Sequence, residues 1–362
     1  MNDSGTIDVA SPRERPLATM RTAGAIGSGA GRVGAGTWAV LAAAVLWGTT
    51  GTAATFAPHG TSSLAVGAAA MGIGGLAMFA SASRSALHII SAHARRRILW
   101  LGAGAVVVYP LAFYTSMSEA GVAIGVTLSI GAAPIVAALI ERLRHGRRLS
   151  RRWTATVAIA IIGAMLLGAG RPDLNHQGAP HEVIGIILAL VAACCYAGYS
   201  VAASEIITDG AASRATVGAL FGLASVVLIP VLLLTGGNLI SSTRGILVAS
   251  YLGLIPMAVG YILFGHGLYK ITASDATALS LLEPAVAAIL ADLIARQHLS
   301  QLGWLGIGLV LASVLLQTGS TQPGITPSHT PATSSIPADA QPLVTQPQQL
   351  ARPSAPRAAL DF

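Results

Sequence analysis

The stretch SLLEPAVAAILADLIARQHLS, residues 280–300, places Glu283 and Pro284 inside a run of Leu, Ala, Ile and Val, with Asp292 nine residues further on. How these acids are accommodated depends on the medium around the chain. In water both carboxylates would simply face out from a helix. In hydrocarbon each would need a partner, a cavity or a proton. Composition decides which medium applies. Of 362 residues, 53% are apolar and only 10% charged, and the mean hydropathy is +0.69. A soluble domain carries roughly 25% charged residues. This is the composition of a chain that lives in a membrane.

A hydrocarbon core about 30 Å thick is crossed by about 20 apolar residues in helical form. Ten stretches meet that demand: 38–57, 64–82, 98–116, 121–141, 154–170, 183–205, 215–235, 245–269, 274–295 and 302–318. Lipid offers the backbone no hydrogen-bond partner, and the runs are too long and continuous for barrel strands, so they are predicted to be helical. The expected fold class is all-α and polytopic, with ten transmembrane helices. Residues 1–36 are Gly, Ala, Ser and Arg without the apolar core of a cleavable signal, and residues 320–362 are rich in Pro, Gln, Ser and Thr; both read as disordered tails. Gly29, Gly31 and Gly34 match G-x-G-x-x-G, but no strand precedes them, so they read as linker.

The arginines set an expected orientation. With the N-terminus in the cytoplasm, the inner segments hold Arg13, Arg15, Arg21, Arg32, Arg84, Arg95, Arg96, Arg97, Arg142, Arg144, Arg147, Arg148, Arg151, Arg152, Arg214 and Lys270. The outer loops hold Arg171, Arg244 and Arg296. Such a bias puts both tails in the cytoplasm of a cell whose inner membrane the chain crosses. It also accounts for the calculated pI of about 10.0. Nucleic acid is not an expected partner, because these arginines are scattered beside apolar helices and lack interleaved aromatics.

Shifted by about 150 residues, the chain matches itself. LAAAVLWGTTGTAAT from Leu41 aligns with LVAACCYAGYSVAAS from Leu190, pairing Trp47 with Tyr196. Ala123, Thr127, Pro134, Ala137, Ala138, Leu149 and Ser150 recur as Ala273, Thr277, Pro284, Ala287, Ala288, Leu299 and Ser300. The halves are residues 37–170 and 183–319. Five spans each is an odd number, so the second copy must be inverted, as in many secondary transporters. The charges agree: RLRHGRRLSRRW after the fourth span holds six arginines, whereas its counterpart ARQHLSQLGW holds one.

Three segments resemble one known family: AAAVLWGTTGTAAT, LEPAVAAILADLI with RQHLS behind it, and WLGIGLVLASVLLQ. Over residues 38–318 the chain resembles the EamA-like, ten-helix members of the drug/metabolite transporter superfamily. The resemblance implies a carrier of small organic solutes in the cytoplasmic membrane, without an ATPase of its own. One departure stands out. Members commonly open the E-R-L-S tetrad after the fourth and ninth spans with Glu, and those positions here are Arg147 and Gln297, so no role of that acid carries over.

Over nine residues a helix advances about 13.5 Å and turns about 900°, which leaves Glu283 and Asp292 on opposite faces. Asp292 sits four residues before Arg296, spacing that predicts an ion pair at the outer interface. Glu283 lies about 12 Å into its span, where burying a charge costs at least ~2.5 to 3.5 kcal/mol. Pro284 and its counterpart Pro134 each remove a backbone donor at matching places in the two halves. Two readings of Glu283 stay open: a carboxylate at a central transport site that carries a coupling proton, or a structural group that caps the kink or bonds a neighbouring helix. Candidate substrate-binding residues are Trp47, Thr50, Tyr109, Tyr196, Tyr199, Glu283 and Pro284. One acid among aromatics suits a cation, an amine or a zwitterion.

No catalytic, cofactor-binding or metal-binding residues are expected. Cys194 and Cys195 are adjacent on one helix, pointing about 100° apart, which suits neither a disulfide nor a metal site. The pairs Gly121/Gly125 and Gly218/Gly222 read as close helix packing, and His266 as an interfacial residue. The expected function is secondary transport, with export favoured, a small molecule and the bilayer as partners and a homodimer as a possible assembly. Two other classes stay open: an intramembrane lipid-acting enzyme, which would need His or Asp clustered at one face, and a scaffold or sensor, which would tolerate loss of Glu283. Single cysteines introduced after replacing Cys194 and Cys195 test the topology. Residue 177 is expected to react with an impermeant maleimide added to whole cells, and residue 330 to be shielded; the opposite pattern would reverse the orientation.

Overall fold

The structure, a computed structural model, describes residues 34–147, 149–170, 181–295 and 298–318. Residues 1–33 and 319–362, which hold nearly all of both predicted tails, lie outside the described residues, and α1 begins at Ala35, two residues inside the predicted N-terminal tail. The first half contains α1 (Ala35–Ala54), α2 (Ser63–Ser81), α3 (Ser83–Ser91), α4 (Arg96–Ala120), α5 (Val122–Gly131), α6 (Ala133–His145) and α7 (Arg151–Ala169). In the second half are α8 (Glu182–Thr208), α9 (Ser213–Thr235), α10 (Gly237–Ile240), α11 (Thr243–Leu252), α12 (Gly260–Leu268), α13 (Ala273–Leu279), α14 (Leu282–Ala295) and α15 (Gln301–Thr318). The expected spans are recovered within a few residues. The fourth consists of α5 and α6, the eighth of α11 and α12 joined by a π-helical turn, Gly253–Val259, and the ninth of α13 and α14.

Among the described residues, nine helical segments are long and apolar enough to cross a membrane. The expected count of ten falls short at α1, whose 20 residues include several Thr and Gly that dilute its hydropathy. It still packs into the bundle against α12 and α14. A further departure is α3, an amphipathic helix of nine residues that the sequence reading missed; it buries Ala86 and Ile89 and packs on α9. Its signal was there in the alternation of Ser, Arg and His with Ala, Leu and Ile, but nine residues are too few to stand out beside full spans.

Contacts between the halves come in exchanged pairs, as an inverted repeat demands. α4 of the first half lies against α8, and α12 of the second lies against α1; α2 pairs with α9 and α7 with α15. Helix starts repeat too. Ser150 Oγ accepts the Trp153 N–H at 3.1 Å and starts α7, while its counterpart Ser300 accepts the Gly303 N–H at 3.3 Å and starts α15. The recurring Leu-Ser of the two halves is therefore an N-cap, which satisfies an amide that would otherwise be orphaned.

Small residues set how closely the helices approach. A Cβ on Gly218 would come within 2.9 Å of the Met78 carbonyl, and one on Gly222 within 2.8 Å of Phe79 Cβ, so this pair does hold α9 close to α2. Gly125 faces α4 in the same way, but Gly121 has φ of 85° and makes the tight turn between α4 and α5. At the α7–α15 contact, a Cβ on Gly163 would lie 2.8 Å from the Gly306 carbonyl oxygen. Backbone cannot retreat as a side chain can. Gly163→Val is expected to destabilise the bundle by about 1 to 3 kcal/mol, whereas Gly104→Ala, which has open space before it, is expected to change little. Thermal unfolding in detergent checks both; equal midpoints would show that the α7–α15 approach is not limiting.

Candidate functional site

The ninth span breaks where the sequence places Glu283. α13 ends at Leu279, Ser280 and Leu281 bridge, and α14 resumes at Leu282. Pro284 has no amide to donate, and the chain compensates with tighter bonds: Leu281 N–H to the Ala278 carbonyl at 3.2 Å and Glu283 N–H to the Ser280 carbonyl at 2.9 Å. Side chains secure the join. Tyr196 donates its hydroxyl to Ser280 Oγ at 2.8 Å, and Ser280 donates to the Thr277 carbonyl at 2.7 Å. The fourth span breaks at the matching place, between Gly131 and Ala133, just ahead of Pro134.

Beside the broken ninth span lies a cavity of about 660 Å³, within the range of small-molecule sites. It opens at the end of the bundle where α1, α4, α7 and α14 finish and α5 begins, as Thr55, Ser118, Gly168, Ala291 and Val122 line it. At its inner end lie Trp47, Thr50, Phe113, Tyr114, Glu283 and Pro284. A smaller cavity of about 30 Å³ continues past Glu283 toward Tyr109, Tyr196 and Tyr261. Within the described residues, Glu283 is the one Asp, Glu, Lys or Arg lining either space. His59 and His298 line the larger one toward its mouth.

Six of the seven predicted substrate-binding residues come together here. Trp47, Thr50 and Glu283 border both cavities, Pro284 the larger, and Tyr109 and Tyr196 the smaller. Tyr199 does not join them: it is 1% exposed, and its hydroxyl pairs with that of Tyr261 at 2.7 Å behind the cavity wall. Trp47 and Tyr196, the repeat counterparts expected on two sides of one cavity, meet edge to face with ring centroids 6.5 Å apart. Tyr261 and Phe264 close on Trp47 at 4.8 and 5.3 Å. Together the rings form a rigid floor. Phe113 and Met117 were missed; they follow Tyr109 at intervals of four, which puts all three on one face of α4.

The Glu283 side chain has neither an ion pair nor a hydrogen bond among the described residues. The capping role left open by the sequence thus has no bond behind it, and the carboxylate stands at the start of α14, where the helix dipole favours negative charge. Asp292 Oδ1 accepts the Leu299 N–H at 3.1 Å; its expected partner Arg296 lies outside the described residues. Cys194 and Cys195 are free thiols, and within the described residues no group of three or more His, Cys, Asp or Glu is placed to hold a metal ion.

Comparison with known proteins accounts for this architecture. The profile of the EamA-like transporter family matches the chain twice, over residues 34–169 and 183–319. An uncharacterized transporter of Bacillus subtilis (strain 168), YwfM, is 33% identical over 279 residues, which cover 76% of this chain and 91% of that protein. An uncharacterized transporter of Clostridium kluyveri is 26% identical over 170 residues, covering 46% of this chain and 54% of the relative. A solved crystal structure shares the fold, with a TM-score of 0.62 at 17% identity over 78% of this chain and 95% of its own. With both halves matched, a transporter-named relative along most of its length and a cavity between broken spans, the chain belongs to the EamA-like transporter family.

Proposed function

We propose that this membrane transporter is a secondary exporter that moves a small organic solute across the cytoplasmic membrane by alternating access, with Glu283 carrying the coupling proton. The observation behind the reading is Glu283 itself, an acid without a protein partner among the described residues, deep in a cavity floored by aromatic rings. An unpaired carboxylate at that depth is costly unless something cationic, a proton or a substrate, visits it. Broken helices at matching places support it further: Glu283 and Pro284, which follow the break of the ninth span, line the cavity, and the fourth span breaks at the equivalent place ahead of Pro134, as discontinuous helices do at transport sites. Ten spans, with both termini cytoplasmic, complete the topology, and the cavity then opens to the outside. The path lies within one chain, so a homodimer would hold two complete paths. No chemistry on the solute is part of the reading.

Comparison of the medium from cells that overproduce the protein and cells that lack it is expected to reveal the exported solute; identical metabolite profiles across growth conditions would sink the export reading. With that solute and purified protein in liposomes, Glu283→Gln is expected to abolish accumulation driven by a pH gradient, to the level of protein-free liposomes, while exchange down the solute's own gradient persists. Glu283→Asp is expected to keep coupling, since the acid survives one methylene short. Folded yield measured alongside separates function from stability. Properly folded Glu283→Gln that still concentrates the solute would remove the proton from the mechanism.

A further inference from the structure

The end of the bundle opposite the cavity mouth is sealed by a contact between the two halves. α6, the second part of the fourth span, lies across the first turn of α13, the first part of the ninth. Glu141 of α6 is 7% exposed and aims its carboxylate at that turn. Oε1 accepts the Ala273 N–H at 2.9 Å and the Ser274 N–H at 3.4 Å, and Oε2 accepts the Ser274 hydroxyl at 2.6 Å. α13 already has a cap of its own, since Thr272 Oγ1 accepts the Asp275 N–H at 3.0 Å. Glu141 is thus a second cap, supplied by the other half of the protein. Its bonds are charge-assisted and shielded from water, which makes them strong. All seven residues of α13 are buried beneath this closure.

The repeat shows what the same elements do at the other end. The 150-residue shift that carries Pro134 onto Pro284 carries Glu141 onto Ala291, and Ala273 and Ser274 back onto Ala123 and Ile124 at the start of α5. The counterpart contact would therefore run from Ala291 of α14 to the first turn of α5. Ala291 and Val122 instead line the open cavity. Of two gates built from equivalent parts, one is shut and held by a carboxylate; the other is open and has a methyl group where the carboxylate would be.

We propose that Glu141 is the latch of the inner gate, and that Ala291 in the equivalent place leaves the outer gate without one, so that the state open at the α5–α14 end is the resting state of the transport cycle. This rests on the alternating-access reading above. Its consequence is an asymmetric cycle: opening the inner gate must break the Glu141 bonds, while closing the outer gate gains no comparable ones. A bound solute has to make up the difference.

Distances measured by double electron–electron resonance in liposomes, without any solute, test the latch separately from transport. Spin labels go on exposed positions in a Cys194→Ala, Cys195→Ala background: His145→Cys with Lys270→Cys across the inner gate, and Ser118→Cys with His298→Cys across the outer. In the parent, the inner pair is expected to be short and the outer pair long. Glu141→Ala is expected to raise the population with the inner pair apart and the outer pair closed by at least about tenfold, since a hydrogen bond to a charged group is worth that factor or more. Ala291→Glu, with Glu141 intact, is expected to raise the outer-closed population, and the double variant to invert the parent's preference. Folded Glu141→Ala with both distributions unchanged would overturn the proposal. If Glu141→Ala yields no folded protein, Ala291→Glu decides alone, and unchanged outer distances in that variant are equally fatal. Loss of the transport reading would look different: the distances would shift as expected while no solute moved.

Discussion

Hydrocarbon has no hydrogen bond to offer, and that single absence governs this structure. Every backbone amide and carbonyl in a span must be satisfied by the protein itself, which a continuous helix does automatically and a broken one does not. Each proline inside a span opens a gap in that account. At Pro256 the chain closes it with a π-helical turn, and at Pro284 with a tightened turn backed by Ser280, Thr277 and Tyr196. The break at Pro284 is buried among other helices, since Ser280 and Leu281 are both 0% exposed. The outer faces of the helices shed Leu, Val and Ile into lipid, as Leu234 at 86% and Leu143 at 77% exposure show.

The same scarcity explains why polar side chains bind so close to home. Thr50 donates to the Trp47 carbonyl, Thr49 to Leu46 and Ser116 to Phe113, each about one turn back. A hydroxyl that folds back on its own helix costs little in lipid and leaves the surface smooth for packing. The few polar contacts that reach between helices therefore mark the joints. Ser225 donates to the Gly72 carbonyl at 2.9 Å where α9 meets α2. Tyr196 and Glu141 both reach α13 or its exit, one from α8 and one from α6. The short half-helix α13 is thus held at both ends by side chains from elsewhere, which makes it the natural element on which a change of state would turn.

Glu283 is the exception to these economies. Aromatic rings surround its end of the cavity, yet no described residue pairs with its carboxylate. A purely structural residue at that depth would be better served by Leu, because a charge without a partner destabilises the fold far more than an alkyl group. The carboxyl group stands beside a cavity and at the positive end of α14, where the helix dipole offsets part of the cost of a charge.

From the sequence alone, the medium, the helical class and the two-repeat plan could be read, because lipid forces long apolar runs and a repeat leaves Pro134 and Pro284, or Ser150 and Ser300, in register. Glu283 could be singled out for a related reason: an acid in an apolar run is expensive wherever it ends up. The neighbours it would have could not be read. Tyr199 and Tyr196 are three residues apart and look alike in the sequence, but the rotation of α8 turns one to the cavity and the other onto Tyr261. Asp292 meets the Leu299 amide, seven residues on, a partner that no i,i+4 spacing announces. Glu141 stands at the basic end of a span, and nothing in the sequence marks it out; folding carries α13, 132 residues away in the chain, under its carboxylate. Local pattern determines what each segment can be; which side chains meet depends on helix rotation and on contacts between distant parts of the chain, and only the tertiary structure decides those.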